Sequence, residues 1–290
     1  MKTAAHRFFF AGLCLLLVFC NSDDAGKPNQ ISQEWRHAGA DHSSAKYSPL
    51  DQIDANNFNS LEIAWRWKSA DLRLDEGVGY GTADYRAVPL VVHGTMYVNT
   101  NHGMVAALDP ISGEELWVFD PESYRFGPPI QTNIMIRSIE YWTDGNIERI
   151  FVATLGKQLL SLDIDTGLPD PNFGEGGYID LSQNLGRLEF ESNFITAGAA
   201  PIAVGDSLIV GSKIFDYGMY NRSPPGFVRA FNTYTGELKW RFNTIPQEGE
   251  EFTETWENNS WRTTGNTNVW TFMSADDEAG IVYLPTSTPT

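Results

Sequence analysis

The sequence predicts an all-β fold, a β-propeller of four-stranded blades, and three observations carry that expectation. A strand–turn–strand motif occurs three times along the chain. Short strand-like runs separated by turn signals precede each copy, and no long amphipathic helical pattern lies between them. The composition agrees: in 290 residues, 42% of them hydrophobic, nine Trp can fill a large core, while 26 Gly and 15 Pro cut the chain into short segments.

The chain opens on a leader rather than on the fold. Lys2, His6 and Arg7 form a cationic start, and the apolar run over residues 8–19 is too short to span a bilayer comfortably but suits a signal-peptide core. Leu17-Val18-Phe19-Cys20 resembles a bacterial lipobox, with Phe19 as a departure where a small residue is usual. Residues 1–20 are therefore expected to direct export to the periplasm. Lipidation at Cys20 would anchor the chain to the membrane; ordinary cleavage and an uncleaved anchor are the alternatives. Residues 21–31 read as a polar tether, and the propeller as starting at residue 32.

The first motif holds Asp109, Ser112, Gly113 and Trp117; the second holds Asp163, Thr166 and Gly167 but lacks the Trp; the third holds Asn232, Thr235, Gly236 and Trp240. An earlier Trp65 lies one interval before Trp117. In each motif Asp or Asn can accept backbone N–H bonds while Gly supplies a positive φ. The Trp then returns on the outer strand as a packing block between sheets. Strands are expected over residues 89–92, 95–100 and 104–108, over 147–154 and 158–162, and over 201–204, 207–211 and 227–231. His93-Gly94 and Gly205-Asp206 are hairpin signals. A repeat of roughly 50 to 70 residues with four antiparallel strands describes a propeller blade. A β-sandwich with coincidental turns is the alternative.

Residues 268–275 and 280–284 read as two strands of a further blade, before any fourth turn motif. An open propeller would leave strand edges bare, so the chain is expected to be an N-terminal piece of a longer protein; closure by oligomerising is the alternative.

Charge and cysteine content exclude several functions. The net charge of −17 disfavours binding to a phosphate backbone, so no nucleic-acid partner is expected. Both cysteines, Cys14 and Cys20, fall in the leader, which leaves the body without a disulfide framework, a zinc cluster of cysteines or a Cys nucleophile. His37, His42, His93 and His102 lack zinc-ligand spacing. The glycine run over residues 77–81 fails the dinucleotide fingerprint.

The ordered series of motifs resembles the PQQ-dependent (quinoprotein) dehydrogenases, whose tryptophan-docking repeat the turn motif matches. Trp35, Tyr47-Ser48-Pro49-Leu50, the stretch over residues 224–246, Trp256 to Trp270, and Val282-Tyr283-Leu284-Pro285 follow the family's order, so the resemblance covers about residues 35–290. It lies nearest the membrane-associated glucose dehydrogenase-like branch. Gln131 and Thr132 stand where the alcohol dehydrogenases carry an adjacent cysteine pair.

The resemblance implies part of an eight-bladed propeller around pyrroloquinoline quinone (PQQ) with Ca²⁺ or Mg²⁺. It implies an aldose such as glucose, or a related polyol or alcohol, as substrate. A membrane quinone or cytochrome would be the electron acceptor. The family's general-base Asp would lie beyond Thr290, so this chain alone is expected to be inactive.

The resemblance also assigns candidate cofactor-binding residues. Trp270 would form the floor under the quinone, because a large π face stacks on a flat ring and excludes water. Arg137 would donate paired hydrogen bonds to carboxylates or carbonyls of the cofactor. Its competing reading is an ion pair with Glu140. Asn268, Ser212 and Arg86 occupy positions of further cofactor contacts, with Arg86 replacing a residue that is often Glu. No metal ligand is assigned, since Thr288 stands at one expected position and no Glu closely follows Ser212.

A non-enzymatic propeller scaffold lipoprotein, of the outer-membrane barrel-assembly type, is the alternative function. The long insertions over residues 119–146 and 244–268 favour the enzyme, because they can roof a site.

Overall fold

The computed structural model describes residues 34–74, 85–126, 136–183, 185, 195–197, 199–214 and 224–289. The expected leader, Cys20 and the tether lie outside these residues, as do Gln131, Thr132 and the 77–81 glycine run. No helix among the described residues is long and apolar enough to cross a membrane.

Three four-stranded antiparallel sheets follow one another along the chain. The first contains β1 (Leu90–Val92), β2 (Thr95–Asn99), β3 (Val105–Leu108) and β4 (Glu115–Phe119), paired in that order. The second contains β5 (Glu140–Thr143), β6 (Glu148–Ala153), β7 (Gln158–Asp163) and β8 (Tyr178–Asp180). Between the second and third sheets, β9 (Ile195–Thr196) will pair with a later strand. The third sheet contains β10 (Ile202–Val204), β11 (Ser207–Val210), β13 (Phe227–Asn232) and β14 (Leu238–Asn243), and β12 (Lys213–Ile214) is the partner of β9. β15 (Ser274–Asp276) and β16 (Ile281–Tyr283) form a two-stranded sheet after it.

Two expectations need correction. β5 lies inside the stretch read as an insertion over residues 119–146, where Tyr141 and Trp142 supply aromatic strand formers. Residues 268–273 are not a strand. There, isolated bridges pair Asn266 with Pro289 and Val269 with Thr286, and regular pairing starts only at Ser274.

The core lies between successive sheets. Leu90, Val92 and Val105 of the first sheet pack with Ile139, Ile150 and Leu162 in and beside the second. On the other face of the second sheet, Phe151 and Leu159 meet Phe173, Ala203 and Leu208. Val228 and Ile209 of the third sheet pack on Val269, Met273 and Ala275. Alternate residues of one strand therefore serve two different cores, as Ile150 and Phe151 do. Such stacked sheets with both faces covered are propeller blades.

The turn motifs close as their residue types dictate. Asp109 Oδ1 accepts from the amides of Ile111 and Ser112 at 2.8 Å each, Asp163 from Thr166 at 2.8 Å, and Asn232 from Tyr234 and Thr235 at 2.9 and 3.0 Å. Gly113, Gly167 and Gly236 sit at φ +74°, +68° and +73°.

Each turn also receives a side chain from an earlier segment of the chain. Trp65 covers Gly113 and donates to Pro110 O at 3.0 Å; Trp117 covers Gly167 and donates to Ile164 O at 3.2 Å. The second motif lacks its Trp, and Ile179 of β8 with the backbone of Gly174 covers Gly236 in its place.

A Cβ at Gly167 would stand 2.4 Å from the Trp117 ring. Gly167→Ala is therefore expected to cost about 2 kcal/mol through left-handed strain and displacement of the indole. Gly145→Ala supplies the control, since φ there is +91° but a Cβ meets nothing within 4 Å. Urea midpoints that fall equally in both variants would show that Trp117 contributes nothing to the loss.

Candidate functional site

The lead-in to β5 carries Arg137 into the interior. Ser138 Oγ, next to it, donates to Val88 O at 2.9 Å, which holds this lead-in beside the start of β1 and beside Arg86. Arg137 is only 4% exposed. Its guanidinium lies 4.6 Å from the ring centroid of Trp270, which is 37% exposed and keeps part of its surface open. Burial lowers the pKa of Arg137, and the like charge of Arg86 adds to that effect.

Other buried arginines are held by acceptors. Arg149 pairs with Asp170 and donates to Thr233 O at 2.9 Å, and Arg229 donates to the carbonyls of Leu181 and Gln183 at 2.8 Å each, although its Nε, like Arg137 Nη1, meets no acceptor among the described residues. Among the described residues no carboxylate pairs with Arg137, and its Nη1 meets no acceptor. The alternative pairing with Glu140 is not formed, because Glu140 turns to His37 and His42.

Asn268, two residues before Trp270, meets Ser212 in the interior. Asn268 Nδ2 donates to Ser212 O at 2.9 Å, and its Oδ1 accepts from Ser287 Oγ at 2.9 Å. Ser212 Oγ donates to Phe227 O at 3.2 Å. Both residues are buried, at 3% and 2% exposure, and one Asn268 amide hydrogen remains beyond these bonds. Gly211 permits the close approach: a Cβ there would stand 2.2 Å from Val269 O. Arg86 is exposed, near enough to Arg137 to act on its charge. The sequence candidates are thus linked in pairs: Arg137 with Trp270, Arg137 with Arg86, and Asn268 with Ser212.

Sequence reasoning missed a second cluster. His42 Nε2 lies 2.9 Å from Glu140 Oε1, His37 Nδ1 lies 3.3 Å from Glu140 Oε2, and both Asp277 oxygens lie 2.8 Å from His42 Nδ1. Burial alone would lower the His42 pKa, but the hydrogen bonds and charges of Glu140 and Asp277 outweigh it and push it up to about 9. Burial alone would raise the Glu140 pKa, yet the two histidines hold it below the usual carboxylate range. No local signal could have revealed this group, because Glu140 is 98 residues from His42 and Asp277 is 235.

Residues 35–290 match the family model of the PQQ glucose/ethanol/alcohol dehydrogenase β-propeller domain. Quinoprotein glucose dehydrogenase A of Acinetobacter calcoaceticus is 26% identical, over 91% of this chain and 34% of its own length. Quinohemoprotein alcohol dehydrogenase ADH IIB of Pseudomonas putida is 31% identical, over 89% of this chain and 34% of its own length. The crystal structure of the quinohemoprotein alcohol dehydrogenase from Comamonas testosteroni superposes with a TM-score of 0.67 at 24% identity, covering 89% of this chain and 36% of that one. This last likeness bears on the fold. The chain spans about a third of the length of the curated relatives it matches.

Proposed function

The chain belongs to the PQQ glucose/ethanol/alcohol dehydrogenase β-propeller family, and from that premise we propose that Trp270 and Arg137 form part of the PQQ pocket of a dehydrogenase. The enzyme acts on the CH–OH group of an aldose such as glucose, or of a related polyol or alcohol, and passes electrons to a membrane quinone or cytochrome. The glucose-type branch is the nearer reading, because Gln131 and Thr132 replace the cysteine pair of the alcohol branch. The cationic and apolar pattern of residues 1–20 supports export to the periplasm as part of this proposal, with Cys20 as the anchor point if it is lipidated.

The observation that carries this reading is a buried arginine with an unanswered donor, held against a half-open indole. PQQ is a flat tricarboxylate quinone, and when bound it supplies the group that accepts two electrons from the substrate carbon. Trp270 offers the stacking surface and keeps water from one face. A ring stacked there must take the indole face that Arg137 does not cover, or move the guanidinium to its edge. In either position Arg137 supplies positive charge to an anionic ligand inside a protein of net charge −17. Asn268 and Ser212 fix the wall, and Asn268 retains one amide hydrogen for a ligand.

Titrating a complete form of the protein with PQQ while following tryptophan fluorescence tests the proposal. Saturable one-to-one binding is expected, and Trp270→Ala should weaken it roughly 10-fold through lost stacking and lost apolar contact. Absence of binding, or equal affinity in Trp270→Ala, would remove the pocket assignment. It would turn attention to the scaffold reading.

A further inference from the structure

The geometry points to a divalent transition-metal site, of the zinc type, built from His37, His42 and Glu140, with Asp277 orienting one of the ligands. It is separate from the PQQ pocket and does not depend on that reading.

The ligands come from distant parts of the chain. His37 and His42 lie on the segment preceding the first sheet, where Trp35 exchanges two backbone hydrogen bonds of 2.9 Å with Val91. Ala40, Ser44 and Lys46 adopt positive φ along this segment, and Lys46 N donates to Gly39 O at 2.8 Å, so it folds into a compact loop. Glu140 opens β5 of the second sheet. The amide of Ala203, in β10 of the third sheet, donates to Glu140 Oε1 at 3.0 Å and fixes its carboxylate. Ala275 N, in β15, donates to His42 O at 2.7 Å, which brings the neighbouring Asp277 onto the same ring.

One ligand atom from each of His37, His42 and Glu140 lies within 4.8 Å of the others. Tetrahedral zinc with bonds near 2.0–2.1 Å holds its ligand atoms about 3.3 Å apart. His37 Nδ1 lies 3.3 Å from Glu140 Oε2 and His42 Nε2 lies 2.9 Å from Glu140 Oε1, so each imidazole meets a different oxygen, and an ion between them would take both oxygens or one after a small rotation of the carboxylate.

The orientation of His42 is the second observation. Carboxylates face both ring nitrogens, so each nitrogen must present a cation or a proton to its oxygen. A proton on Nδ1 satisfies Asp277 and turns the Nε2 lone pair toward Glu140 and His37. This is the carboxylate–histidine–metal arrangement, in which an outer carboxylate sets the tautomer of a ligand. The two imidazole rings lie with centroids 3.8 Å apart, closer than the roughly 5 Å of two imidazoles on one tetrahedral ion, so binding would spread the rings. A cavity of about 20 Å³ adjoins the cluster, bordered also by Asp41 and Ser44, and has room for one water as a fourth ligand. Two imidazoles with one carboxylate suit zinc-like ions; Ca²⁺ and Mg²⁺ prefer sites made of oxygen. The ion would clasp the 34–46 segment onto the second sheet, with Asp277 carrying that clasp to the β15–β16 pair.

The test is a Zn²⁺ titration of the chelator-stripped chain against a competing chromophoric chelator, with Co²⁺ as a spectroscopic probe. One zinc per chain is expected, with a dissociation constant below about 1 µM, and Co²⁺ should give the visible absorption of a four- or five-coordinate ion. His37→Ala and His42→Ala should each weaken binding by about 100-fold or more, and Asp277→Asn by roughly 10- to 100-fold. If either alanine variant misfolds by circular dichroism, Glu140→Gln decides, because its amide oxygen can still accept from Ala203. A proton in place of the metal would give no binding tighter than about 100 µM and would overturn the assignment. So would affinities or Co²⁺ spectra unchanged in the variants, which would place the zinc elsewhere.

Discussion

Replacing Arg137 with alanine is expected to weaken PQQ binding on the order of 100-fold, because two charge-assisted hydrogen bonds to a carboxylate or carbonyl edge are lost together. The same substitution should leave the fold as stable as before, or more stable. A buried guanidinium has a large desolvation cost, and here no carboxylate among the described residues offsets it. The cation–π contact with Trp270 returns roughly 1–2 kcal/mol. Arg137→Lys separates charge from shape: it keeps the cation but not the planar fork, so intermediate affinity is expected. Isothermal titration with PQQ and urea unfolding on the same samples read both effects. A variant that loses stability and binding in parallel would make Arg137 a structural residue, and one that keeps its affinity would remove it from the pocket.

The second large effect concerns the hold between the second and third sheets. Arg149 on β6 pairs with Asp170, with side chains only 7% and 10% exposed, and donates to the carbonyl of Thr233 in the β13–β14 turn. Asp170 also caps the turn that follows it, accepting from the amide of Asn172 at 3.0 Å. Asp170→Ala should lower stability by about 3–5 kcal/mol, because it leaves a buried guanidinium without its anion. The double variant Arg149→Met with Asp170→Leu tests the cause. If desolvated charge is the reason, the double variant recovers most of the loss, since removing both charges is often close to neutral. If the double variant is as weak as Asp170→Ala, the loss belongs to the turn at Asn172 and not to the ion pair. Denaturant midpoints of the three chains distinguish these outcomes.

The fold was legible because the signals that specify it are local. Asp109, Gly113 and their counterparts announce each turn through residue type alone, and the strands preceding each motif alternate as buried strands do. What escaped was structure whose reason lies far along the chain. β5 was hidden in an aromatic stretch because Tyr141 and Trp142 acquire strand partners only when β6 returns beside them. The run from Asn268 reads as a strand by composition, yet Asn268 bonds to Ser212 and Ser287 instead of entering a regular ladder. Resemblance points to Trp270 and Arg137, but positions so far apart do not reveal their contact. His37 and His42 lack zinc spacing, but that rule assumes ligands close together in sequence. Glu140 and Asp277 enter that cluster only through the packing of three sheets and the segment at the start of the fold.

Trp65 and Trp117 each bond to a turn 45 and 47 residues further along the chain. During synthesis the indole therefore leaves the ribosome well before its seat exists. A nascent sheet would stay loosely held until the following repeat has emerged and turned, so consolidation should trail elongation by about one repeat. Stalled chains of increasing length, probed by limited proteolysis, would gain protection in steps, each step arriving with the glycine turn that receives the waiting indole.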